Sequence, residues 1–105
     1  MKQVLWLGDS RDAVRAFPPD ARQSAGFQLD GIQKGEDPDD WKPMASIGPG
    51  VREIRIRADR GAYRVIYLAT RPEGIYVLHA FQKKSARTTR SDVELARERL
   101  RWLAR

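Results

Sequence analysis

"VREIRIRADRGAYRVIYLATRPEGIYVLHAF", residues 51–81, is the stretch on which the fold turns. Three runs rich in β-branched and aromatic residues lie in it: "VREIRIRA" (51–58), "AYRVIYLAT" (62–70) and "GIYVLHAF" (74–81). The joints "DRG" and "RPEG" are short and carry glycine, so consecutive hairpins and an antiparallel meander are expected. In the first run, charged and apolar residues alternate. A period of two puts Glu53, Arg55 and Arg57 on one face and Arg52, Ile54 and Ile56 on the other.

Outward to the N-terminus, "QVLWL" (3–7) reads as a first strand. Asp9 or Ser10 can cap a helix through "RDAVRAF" (11–17), which Pro18 and Pro19 must end, because proline removes a backbone donor and biases the preceding residue away from helix. Pro19 suits a first helical turn. Ala21, Ala25, Leu29 and Ile32 then recur at helical spacing up to Gly35, against the cost of Gly26 and Gly31 at about 1 kcal/mol each. The two segments read as a helical hairpin. "GEDPDDWKPMASIGPG" (35–50) reads as a solvated acidic loop. Beyond the strands, Ser91 and Glu94 have capping-box spacing, and Val93, Ala96, Leu100 and Leu103 form an apolar stripe opposite Arg97, Glu98, Arg101 and Arg105. The expected class is α+β: an N-terminal helical hairpin on a small, mainly antiparallel twisted sheet, with a C-terminal helix.

At 105 residues the chain fits one domain, residues 1–105. No apolar run approaches the roughly 18 residues of a membrane span, and the N-terminus lacks a leader's cleavage pattern. With no Cys and one His, neither a disulfide framework nor an ordinary zinc site is available. A cytoplasmic protein without metal or cofactor is the expectation. Charge is unevenly spread: residues 1–50 carry six Lys/Arg and eight acids, a balance of −2, whereas residues 51–105 carry fourteen Lys/Arg and six acids, a balance of +8. Such asymmetry points to a polyanionic partner, nucleic acid foremost, or to a merely solvated basic face.

The cations that bear on chemistry are clustered. Arg55 and Arg57, one strand step apart, can grip one phosphate, or simply stud an exposed sheet face. Arg64 lies among Val65, Ile66 and Tyr67, where a charge is costly unless paired, with Glu53 as an internal candidate, or directed at a ligand. His79 shares the expected face of Val77 and Phe81 and reads as a hydrogen-bonded structural residue or an acid–base group. "KKSARTTR" (83–90) follows at a strand-to-helix joint, with Lys83, Lys84, Arg87 and Arg90 and no acid. Hydroxyls and backbone N–H groups there can also meet phosphate. Walker, G-x-S-x-G and H-E-x-x-H motifs are absent.

The helical pair, "VREIRI", "YRVIY" and "VLHAFQKKSARTTRSDVELARERL" (77–100) together resemble the RelE/ParE superfamily of bacterial toxins, specifically its HigB-like, phage-derived branch. The resemblance spans nearly the whole chain. It implies the toxin of a type II toxin–antitoxin system, partnered by a helix-turn-helix, HigA-like antitoxin from the adjacent gene. RelE-like and HigB-like members cut messenger RNA on the ribosome; ParE-like members poison DNA gyrase without cutting RNA. The resemblance places the RNA-cleaving groove on the sheet at Arg55, Arg57, Arg64 and Lys83 or Lys84; to these the reading of the residues adds His79 as a candidate acid or base and Arg52, Arg87 and Arg90 as RNA contacts. Cleavage without a metal requires a base for a 2′-OH, stabilisation of charge at phosphorus, and an acid for the leaving 5′-oxygen. Arginine suits only the second task, which leaves His79 or a lysine with a lowered pKa for the others. Several RelE-like members carry a tyrosine in the final segment; here Trp102 is a candidate for base stacking or for the core. Alternatives are a non-enzymatic inhibitor that binds gyrase or another protein, and a degenerate prophage relic that binds RNA without cutting it.

Overall fold

The computed structural model describes residues 1–103. In chain order the elements are β1 (Val4–Trp6), α1 (Ser10–Arg15), α2 (Pro19–Gln33), β2 (Trp41–Pro43), β3 (Val51–Ala58), β4 (Gly61–Leu68), β5 (Ile75–Lys83) and α3 (Arg90–Trp102). The protein is α+β. A five-stranded sheet runs β1-β5-β4-β3-β2, with β1 parallel to β5 and the other neighbours antiparallel.

The central meander forms as its alternation and turns dictate. Val51 pairs with Leu68 and the register runs without a break to Ala58 opposite Gly61, whose φ of 136° in the tight turn suits a residue without a Cβ. Side chains leave the sheet in two directions and are buried on both sides. Ile54, Ile56, Tyr63, Val65, Tyr67 and Val77 pack against Val14, Phe17, Ala21, Ala25, Leu29 and Ile32 of α1, α2 and the segment between them. Val51, Ile66, Leu68 and Leu78 pack against Val93, Ala96 and Leu100 of α3, with Met44 and Ile47 from the β2–β3 connection. The α2 stripe expected from spacing is thus buried, while in that of α3 Ala96 is buried and Val93, Leu100 and Leu103 are half-buried.

Pro19 starts α2, and Gly35, at φ 88°, ends it: Gly35 N–H donates to the Ile32 carbonyl and Glu36 N–H to that of Gly31, so the last carbonyls find partners where only glycine bends easily.

Three expectations are corrected. Residues 35–50 are not all loop, because Trp41–Pro43 forms an edge strand on β3. Its Pro43 is tolerated at a sheet edge. The cap of α3 is Thr89, not Ser91: Thr89 Oγ1 accepts from Asp92 N–H and donates to Asp92 Oδ2, while Glu94 turns to Arg90. The strand alternation of β5 breaks at Leu78, since Ile66 faces His79 but Tyr67 faces Val77. That bulge separates His79 from the face of Val77. Of the two readings left open for Trp102, the core is excluded, since the side chain is 41% exposed. Arg105 lies outside the described residues. Among the described residues, no helix is long and apolar enough to cross a membrane.

Candidate functional site

Strand register assembles a cationic group on the α3 side of the sheet. Arg55 of β3 lies directly opposite Arg64 of β4, and Arg64 lies opposite Phe81 of β5. Two residues along, Lys83 faces Ala62, and on the other flank Lys42 of β2 faces Glu53. Alternation therefore puts Lys42, Arg55, Arg57, Arg64 and Lys83 on one face of four adjacent strands. Arg55, Arg57 and Arg64, with Asp40, Ile56 and Ala62, line a recess of about 290 Å³. Like charges directly opposite each other destabilise an antiparallel pair, so this arrangement favours an anion between them.

Arg64 is held from beneath. It is 5% exposed, its Nε stands 3.4 Å from Glu53 Oε1, and its Nη1 donates to the Tyr63 carbonyl at 3.0 Å. Glu53, 1% exposed, accepts from Thr88 Oγ1 on its other oxygen at 2.5 Å. The internal pairing of Arg64 and the facing of Arg64 into a recess thus coexist. Burial pulls the Arg64 pKa down, against the attraction of Glu53, and Arg55 adds to the lowering. The Lys83 pKa is also lowered, first by lost hydration and then by Arg64 and Arg55, so its ammonium gives up a proton more readily than a free lysine.

His79 is engaged elsewhere. Its Nε2 meets Asp92 Oδ1 at 2.7 Å and its ring stacks on Phe81 with centroids 5.0 Å apart. Its Nδ1 is buried without a partner among the described residues. The geometry ties β5 to the first turn of α3, which suits a structural histidine.

A family model described as phage derived protein Gp49-like (DUF891) matches residues 12–101, from α1 to α3. The chain belongs to the Gp49-like family. No curated protein matches it. The matched span contains every residue of the cationic face, from Lys42 to Lys83, and Asp40 beside it.

The remaining expected residues of this Gp49-like chain are dispersed. Lys84 and Arg87 are exposed along the β5–α3 connection, and Arg90, the exposed first residue of α3, pairs with Glu94 at 2.9 Å. Arg52 points to the opposite side of the sheet, where it bonds Asp37 at 2.9 Å and covers the Trp41 ring at 3.9 Å. It is not brought together with the recess. Asp40 and Lys42 do belong to the recess side, yet both sit in the stretch expected to be loop. A three-residue edge strand that includes proline leaves almost no periodic signal.

Proposed function

We propose that this protein is the toxin of a type II toxin–antitoxin system and acts as a metal-independent endoribonuclease on translated messenger RNA in the cytoplasm. Membership of a phage-derived family agrees with that setting. The observation that carries the proposal is the convergence of Arg55, Arg57, Arg64, Lys83 and Lys42 on one sheet face around a recess. A pentavalent phosphorus transition state gains charge, and fixed cations stabilise it without reorganising. Lys83, whose pKa is lowered by its surroundings, is the group suited to protonate the departing 5′-oxygen. Arg87 and Arg90 extend the cationic path along the β5–α3 connection. The partner proposed is a helix-turn-helix, HigA-like antitoxin encoded beside it.

Induced alone, the protein should arrest growth, and primer extension on cellular transcripts should show new 5′ ends. Co-expression of the neighbouring small gene should relieve the arrest. Ordinary growth at high expression would refute the toxin reading. A second reading, a non-enzymatic inhibitor that binds gyrase or another protein, is favoured by the commitment of Arg64 to Glu53. Growth arrest without new transcript ends would select it.

A further inference from the structure

We infer that Asp40 is the general base of this site, taking the proton from the attacking 2′-OH on the side of Arg64 opposite Lys83. The inference rests on the ribonuclease reading above and names a residue for the base, a task the arginines of the recess cannot perform.

The carboxylates near the cationic face can be sorted by what already occupies them. Glu53 is 1% exposed and its two oxygens are taken by Arg64 and Thr88, so it cannot reach a ribose. Asp92 is divided between His79 and Thr89. Asp37 is with Arg52 on the far side of the sheet. Among the described residues, Asp40 is the one carboxylate that lines the recess with Arg55, Arg57 and Arg64, and it is exposed to an incoming strand. Its position is fixed by the backbone: Arg55 N–H donates to the Asp40 carbonyl at 2.9 Å, which continues the β2–β3 pairing by one residue.

Position across the sheet gives the second argument. Asp40 enters from the β2 side of β3, Arg64 stands on β4, and Lys83 stands on β5. In-line displacement at phosphorus puts the attacking O2′ and the leaving O5′ at opposite apices, so a base and an acid must flank the phosphate from opposite sides. Asp40 and Lys83 do so about Arg64, and the charges of both groups are felt within this cluster: Asp40 acts on Arg64, and Arg64 acts on Lys83. An acid in a phosphate site weakens ground-state binding by repulsion. A role in the chemistry, not in affinity, accounts for it.

The step balances. An Asp40 carboxylate oxygen accepts the O2′ proton as O2′ bonds to phosphorus. The P–O5′ bond breaks and O5′ takes a proton from Lys83 Nζ, leaving a 2′,3′-cyclic phosphate and a 5′-hydroxyl. Water then carries the proton from Asp40 and restores that of Lys83.

The test uses a defined messenger RNA on purified ribosome complexes, with single-turnover cleavage mapped by primer extension. Asp40→Asn, close to isosteric, should lower the saturated rate by about a hundredfold to ten-thousandfold, the usual worth of a general base. RNA affinity should stay equal or improve, and the cut site should not move. Between pH 6 and 8 the Asp40→Asn rate should climb more steeply than that of the unaltered protein, as solvent hydroxide takes over removal of the O2′ proton. A merely structural role would not produce that change of slope. Cleavage by Asp40→Asn within about threefold of the unaltered protein, while Arg55→Ala is impaired, overturns the inference and leaves the ribonuclease reading standing. If the unaltered protein cuts no message in this assay or in cells, the ribonuclease reading falls and Asp40 falls with it.

Discussion

Arg64→Ala should cost stability before it says anything about activity. Glu53 is 1% exposed and receives one charged partner, Arg64, and one hydroxyl, Thr88. Removal of one member of a buried pair leaves an uncompensated charge, at a typical cost of about 3–5 kcal/mol. Thr88 remains to donate, which sets the expectation at the lower end, about 3 kcal/mol, or roughly a hundredfold in the unfolding equilibrium. With a urea slope of about 1–3 kcal/mol per molar for a small domain, the midpoint should drop by about 1–3 M. Loss of toxicity in this variant therefore does not by itself identify a catalytic arginine. Replacing both members by apolar residues, Glu53→Leu with Arg64→Met, removes the stranded charge and should recover the greater part of the loss. On the proposed function this double variant folds but does not cleave. Equilibrium urea unfolding followed by circular dichroism checks the series. A loss below about 1 kcal/mol in Arg64→Ala, or a double variant less stable than that single one, would refute the buried-pair argument.

Other outcomes follow from the same structure. Thr89→Ala removes the α3 cap and should destabilise by about 0.5–2 kcal/mol, with faster amide exchange at Asp92 as the local readout. Arg99 bonds Asp9 at 2.7 Å and holds the Asp9 pKa below its ordinary value. A folded-state pKa that is depressed gives stability present above the unfolded pKa and lost as pH falls through the folded one, so Asp9→Asn should flatten the acid limb of a thermal-unfolding series. The falling alkaline limb of the cleavage rate should lie below the ordinary lysine range, because Lys83 loses its proton early, and Lys83→Met should abolish that limb in single-turnover assays. Arg87→Ala or Arg90→Ala should weaken RNA association and reduce the slope of log K against log salt by about 0.7 each, leaving the saturated rate intact.

The sequence by itself determined the longer elements and most of their faces. Periods of two and of 3.6 are local properties, so Arg55 and Arg57 shared a face, and Ala21, Ala25, Leu29 and Ile32 formed a buried stripe, before any packing was known. It also supplied the cations, and Arg64 within an apolar run announced a partner or a ligand. What only the tertiary structure decided is which residues meet. The opposition of Arg55 to Arg64 depends on pairing register, which burial on both sides of the sheet sets through contacts distant in sequence. The bulge at Leu78 reset the alternation that had placed His79 beside Val77, and the Thr89 cap then delivered Asp92 to His79, thirteen residues away in the chain. Asp40 and Lys42 had no periodic signal because three residues of edge strand are too few to show one. They acquire meaning only because β3 accepts them as neighbours, and for Arg52, on the face opposite Arg55 and Arg57, only the structure supplied Asp37 and the Trp41 ring as partners.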